Sequence, residues 1–231
     1  MQEPFIKGSC PPEAQLKKNL SRVIDLTHTI CENMPVYPGT EQPQIIKPCT
    51  IEANGFVEHQ LTFFTHTGTH IDAPAHILPH GKTLDQMSVE MFIGSGAVID
   101  LRVIQGREIQ LSHLIPFQHL FESSQFILLH TGWSQYWGQE AYFSNYPVLT
   151  VEAAQWVQGF KLKGIGMDMI SIDGTDTPSL PIHHILLESG IIIENLTQLE
   201  QLPQSGFTFC CFPLKLVAAD GSPVRAVGIV A

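Results

Sequence analysis

Positive charge is scarce in this chain. Of its 231 residues 15% are charged, with 12 Lys and Arg against 22 Asp and Glu, for a formal net charge of −10. No Lys/Arg run offsets that acidity, which argues against a nucleic-acid partner, because neutralising a phosphate backbone takes clustered cations. No apolar run is long enough to cross a bilayer, and the first residues lack the apolar stretch of a secretion signal, so no membrane partner is expected. The five cysteines (Cys10, Cys31, Cys49, Cys210 and Cys211) are odd in number and form no C-x-x-C pair. They read as reduced thiols of a cytoplasmic protein, not as a disulfide framework. Also missing are a phosphate-binding loop, a dinucleotide glycine fingerprint and a G-x-S-x-G nucleophile elbow.

What is present is apolar bulk and histidine. Hydrophobic residues make up 44% of the chain, enough for one substantial core. Residues 1–20 read as a polar lead-in with a short helix after Pro12, and residues 21–231 as one domain. Strands are predicted at 22–26, 56–64, 96–101, 125–129, 164–169, 191–194, 207–212 and 224–230. Residues 44–51 read as an edge strand, since Pro48 has no N–H for a central ladder. Helices are predicted over 112–122, from an N-cap at Thr150, and from Pro181 to a glycine stop at Gly190. The mixture indicates a single α/β domain with a mixed, barrel-like sheet.

There are eleven histidines, and four potential ligands fall within one segment, His66-Thr67-Gly68-Thr69-His70-Ile71-Asp72-Ala73-Pro74-Ala75-His76. Gly68, two β-branched threonines and Pro74 argue against a helix there. In extended chain, alternate side chains share a face, so His66, His70, Asp72 and His76 would project to one side. Three imidazoles and a carboxylate gathered this way form a nitrogen/oxygen ligand set suited to zinc or manganese. Burying them together without a cation would leave polar groups unsatisfied. A closed structural zinc site is disfavoured because no cysteine lies nearby. His28, His59, His80, His113 and His119 are read as ordinary hydrogen-bonded residues.

A second region, Pro181-Ile182-His183-His184 with Ile191–Glu194, could add a histidine and a carboxylate. Taken without the first cluster, it reads as a helix cap and a strand end. Asp168 and Asp173 could orient imidazoles, though turn formation is the plainer reading. The aromatics of Thr131-Gly132-Trp133-Ser134-Gln135-Tyr136-Trp137 could line a substrate pocket, but packing is the commoner fate of such residues.

The segment 66–76 fits H-x-G-T-H-x-D-x-P-x-H and resembles the signature of the putative cyclase family, which includes bacterial kynurenine formamidase. Asp25-Leu26-Thr27-His28, residues 34–39, 164–173 and 181–187, Ile193-Glu194-Asn195-Leu196 and Ser222-Pro223-Val224-Arg225-Ala226-Val227 resemble that family in chain order. The resemblance therefore covers nearly the whole chain after about residue 20. It implies a swivelling β/β/α-type α/β domain, assembled as a homodimer or higher oligomer. It implies metal ligands at His66, His70 and Asp72, with Asp72 bridging to a second ion, and a general acid/base at His76. Later ligands fall on Glu194 and on His183, with His184 as the alternative in the doublet. The cofactor implied is a divalent metal, Zn2+ or alternatively Mn2+, as one or two ions. The activity implied is hydrolysis of a small amide, foremost an aryl formamide such as N-formylkynurenine. Opening of cyclic amides or lactones is the alternative within the family. A metal- or ligand-binding protein without turnover is the alternative outside it.

Overall fold

In a computed structural model, which describes residues 22–230, the chain forms thirteen strands and five helices among the described residues. In order they are β1 (Arg22–Asp25), β2 (Gln44–Cys49), α1 (Ile51–Asn54), β3 (Glu58–Thr62), β4 (His70–Asp72), β5 (Ile93–Asp100), β6 (Glu108–Ile109), α2 (Leu111–Leu114), α3 (Gln118–Ser123), β7 (Phe126–His130), β8 (Val148–Leu149), α4 (Val151–Gln158), β9 (Gly164–Met167), α5 (Pro181–Leu187), β10 (Ile191–Glu194), β11 (Phe207–Cys210), β12 (Gly221–Pro223) and β13 (Val227–Val230). The lead-in and the helix expected after Pro12 lie outside the described residues.

The apolar run of β7 shows how the core is layered. Phe126 and Leu128 join one buried cluster while Ile127 and Leu129 join another on the opposite face, so every position is apolar. Helices α4 and α5 cover the second face, contributing Ala153, Ala154 and Val157, and Ile182, Leu186 and Leu187. Parallel strands β5, β7, β9 and β10 form the middle of the sheet, as expected of strands buried on both sides.

The sheet has nine strands in the order β1-β13-β11-β5-β7-β9-β10-β4-β12. It has to curl. Strands β12 and β13 stand seven steps apart in that order, roughly 34 Å in a flat sheet with strands about 4.8 Å apart. Yet only residues 224–226 join them, a link that reaches at most about 14 Å. A bridge between Thr27, just past β1, and Leu196, just past β10, closes the same gap. The single α/β domain with a mixed, barrel-like sheet is thus the observed architecture.

Local differences have local causes. The helix expected over 112–122 is broken by Pro116 into α2, a 3-10 turn (Ile115–Phe117) and α3. The strand expected over 224–230 starts only at Val227, as β13, because residues 224–226 are the link that carries the chain from β12 at one end of the sheet to β13 near the other. The edge-strand reading of 44–51 is met over Gln44–Cys49, where among the described residues β2 pairs with β3 alone as a separate two-stranded ribbon, while Thr50 caps α1 and ends the strand. Thr150 caps α4 by accepting from the Ala153 N–H.

Candidate metal centre

The site is assembled around β4. This strand lies between β10 and β12, with Glu194 opposite His70, and Gly221 opposite Asp72. Cross-strand partners share a face, and so do residues two apart in a strand. The register therefore puts His70, Asp72 and Glu194 together, all buried.

The alternation expected to align four ligands holds for His70 and Asp72 only. Gly68 has φ +65°, a left-handed conformation that turns the chain between His66 and His70. After β4, Pro74 opens a 3-10 turn (Pro74–His76) that carries His76 back over the strand. His66 nevertheless reaches Asp72, with Nδ1 2.6 Å from Oδ1. The His66 and His76 rings lie 4.0 Å apart, centre to centre. The convergence is thus made by two turns flanking a three-residue strand.

The hydrogen bonds of the two buried imidazoles limit what the centre can hold. The His70 Nδ1–H donates to the Gly68 carbonyl at 2.8 Å. A carbonyl only accepts, so this tautomer turns the Nε2 lone pair toward Asp72 Oδ1 at 3.2 Å and Glu194 Oε2 at 3.6 Å. His183 repeats the pattern. Its Nδ1 lies 2.7 Å from Asp173 Oδ2, and its Nε2 faces Asp72 Oδ2 at 3.5 Å and Glu194 Oε1 at 3.4 Å. Two imidazoles with committed Nδ1 protons thus aim lone pairs at two carboxylates. Acceptors converging on acceptors repel unless a cation or extra protons lie between them.

No Lys or Arg lines the cavity among the described residues, so no side-chain cation fills that role. With protons alone, burial opposes charging of His183, but hydrogen bonds to Asp173, Asp72 and Glu194 outweigh it and push its pKa up to about 12. Burial likewise opposes charging of His66, while Asp72 and Asp220 push it up to about 9. Asp72 is held well below the usual carboxylate range: burial opposes its charge, and His66, His183 and His70 prevail. The donor atoms of His66, Asp72 and His76 lie within 4.8 Å of one another, as do those of His70, Asp72 and Glu194. A nitrogen/oxygen donor set with a shared carboxylate, free of cysteine, fits one or two divalent cations.

Of the histidine doublet, His183 enters the cluster and His184 is exposed. Asp173 is not merely a turn residue: it accepts from the backbone N–H of Ile182 and of His183 as well as facing the His183 ring. Asp168 does serve a turn, accepting from Thr131 and Gly132. Trp133, Tyr136 and Trp137 pack against the core, and Trp137 stacks on His28 with 3.8 Å between ring centres. Neither these aromatics nor His28, His59, His80, His113 and His119 line the cavity.

The cluster forms the foot of a cavity of about 370 Å³. Tyr37 and Phe64 give it aromatic walls, and Ile170 and Leu180 aliphatic ones. Sequence reasoning missed Phe64, Asn195 and Asp220 as parts of the site. The Asn195 amide donates to the Gly68 carbonyl and its own carbonyl accepts from Thr69, which fixes the turn before β4. Asp220 lies 3.1 Å from His66 Nε2. Nothing local marks it, since it stands alone 144 residues beyond His76. His76 is about a quarter exposed, with Nδ1 3.5 Å from Asp220 Oδ2. Burial holds its pKa below the ordinary imidazole value against the pull of Asp72.

The sequence pattern of the family described as Putative cyclase matches residues 24–174. The kynurenine formamidase of Bacillus cytotoxicus is 31% identical over 209 residues, covering 90% of this chain and 97% of that protein. An isatin hydrolase bound to the product analogue thioisatinate shares the fold with a TM-score of 0.84 at 22% identity, covering 94% of this chain and 97% of that one. A structure described as a potential metal-dependent hydrolase with cyclase activity has a TM-score of 0.73 at 28% identity, over 91% of this chain and 98% of that one.

Proposed function

This chain belongs to the putative cyclase family, and from that premise we propose that it hydrolyses a small aryl formamide, with N-formylkynurenine the first compound to test. In coarser terms it is a metal-dependent hydrolase of amide C–N bonds. One observation carries the reading: the His70 and His183 lone pairs converge on Asp72 and Glu194 at the foot of a cavity walled by Tyr37 and Phe64.

His66, His70, Asp72, His183 and Glu194 are the residues that would hold zinc or, alternatively, manganese. A divalent cation bound there supplies Lewis acidity, making a water more acidic and a carbonyl more electrophilic. His76 is the acid/base in this reading. It takes the proton of the attacking water and delivers it to the amide nitrogen as the C–N bond breaks, leaving formate and a free aryl amine. A neutral imidazole is needed for the first step, and the burial of His76 favours it. Tyr37 and Phe64 offer ring faces to an aryl group. A net charge of −10 disfavours a strongly anionic substrate. We also propose that the chain acts as a homodimer or higher homo-oligomer in the cytoplasm.

The test is a panel of aryl formamides, isatin-like cyclic amides and simple lactones, offered to metal-loaded protein. Metal-dependent turnover of the formamides, abolished by a chelator, is the expected result. Turnover confined to cyclic amides or lactones would move the substrate class within the same chemistry. No turnover of any member by fully loaded protein would favour a binding protein.

A further inference from the structure

The dipeptide Asp220-Gly221 borders the site without belonging to the expected ligand set. We propose that Asp220 is a positioning residue that holds His66 and His76 in the tautomers the site requires; the proposal rests on the metal-centre reading above.

The His66 ring is flanked by carboxylates on both nitrogens. Nδ1 is 2.6 Å from Asp72 Oδ1, and Nε2 is 3.1 Å from Asp220 Oδ2. Asp72 belongs to the converging donor set and is fully buried. Asp220 is partly exposed at the cavity wall. A ring that gives Nδ1 to a cation beside Asp72 keeps its proton on Nε2, and Asp220 is the acceptor in place for it. The other side of the same carboxylate is pinned, because the Thr65 hydroxyl donates to Oδ1 at 3.0 Å.

The same Oδ2 lies 3.5 Å from His76 Nδ1. Its negative charge favours the proton on that nitrogen and leaves the His76 Nε2 lone pair as the one able to accept from a substrate water. One carboxylate thus sets two rings, one for ligation and one for proton transfer. Gly221 completes the arrangement. A Cβ at this position would sit 2.6 Å from His66 Cε1 and 2.8 Å from Nε2, so only glycine lets the ring lie against the β12 backbone. The register that pairs Gly221 with Asp72 brings this dipeptide to β4.

Asp220→Asn keeps the side-chain volume but removes the charge and one acceptor. Metal affinity is measured first, by Zn2+ titration against a chromophoric chelator without substrate, on parent, Asp220→Asn and Thr65→Val. Kinetics then follow at saturating metal. Losing an outer partner of a metal ligand typically costs about 10–100-fold in affinity or activity. Asp220→Asn is expected to lose metal affinity in that range and to lower kcat at saturating metal with KM little changed. Thr65→Val, which leaves the carboxylate but frees it to rotate, is expected to shift both in the same direction by a few-fold. Parent-like metal affinity and kcat in Asp220→Asn would overturn the proposal, as would a fall in melting temperature alone. A raised KM with unchanged kcat would also overturn it, by making Asp220 a substrate contact. Absence of metal uptake by the parent would fell the metal reading and this assignment together, whereas equal uptake by parent and variant fells the assignment alone. If Asp220→Asn fails to fold, Thr65→Val decides by the same criteria.

Discussion

His76 stands between two roles that a single substitution can separate. Its ring is close enough to His66 and Asp72 to join their donor set, and it also faces the cavity. As the acid/base, His76→Ala keeps metal and fold but loses about 10²–10⁴-fold in rate, the usual contribution of general acid–base catalysis. The loss should be smaller for a substrate whose leaving group needs no protonation. A ligand role would instead lower metal content, with partial rescue by added metal. A structural role would lower the melting temperature and leave turnover normal. Metal content, melting temperature and rate on one preparation distinguish the three, and the first pattern is expected. Normal rate with full metal would remove His76 from the mechanism.

At the scale of elements, α5 decides between two adjacent histidines. Successive residues of a helix point about 100° apart, so only one member of the doublet can face the cluster. The start of the helix is held by Asp173, which accepts from two of its N–H groups. Those bonds, made where the helix has no internal partners for its first donors, set its rotation and turn His183 inward. His183→Ala is expected to lower metal content sharply and to leave Asp72 and Glu194 as buried carboxylates with fewer partners. His184→Ala is expected to keep metal content and to change stability by no more than about 0.5 kcal/mol, as for most surface positions. Elemental analysis of the two variants checks this, and the reverse pattern would exchange the assignment.

At the scale of the whole molecule, the curl of the sheet and the helices on its second face bury both sheet faces, but among the described residues the β2–β3 ribbon is left uncovered. All five residues of β3 are exposed, and Ile46, Phe56, Leu61 and Phe64 are each at least half exposed. A two-stranded hairpin alone is marginal in water, and an apolar patch of this kind commonly marks a protein contact. The homodimer proposed above would cover it. Light scattering at micromolar concentration is expected to give at least twice the chain mass, and Leu61→Glu to shift the population toward monomer. A monomeric parent would refute the dimer, and a dimer indifferent to Leu61→Glu would move its interface elsewhere.

The short-range features were legible from the residues themselves. Apolar runs marked β5, β7, β9 and β10, a proline marked the ribbon's edge strand, and Thr150 marked the start of α4, because each depends on chemistry within a few positions. The ligand types of the first motif were legible for the same reason: imidazole and carboxylate side chains define a donor set whatever the backbone does. How His66 and His76 reach that set was not, since it depends on a left-handed glycine and a 3-10 turn, not on strand alternation. Pairing at long range was decided only by the tertiary structure. Glu194 meets His70 through the β4–β10 register, Asp220 meets His66 through the β4–β12 register, and His183 is chosen over His184 by the rotation of α5. Strand register and helix rotation follow from how whole faces bury apolar surface, and no local pattern around Asp220 carries that information.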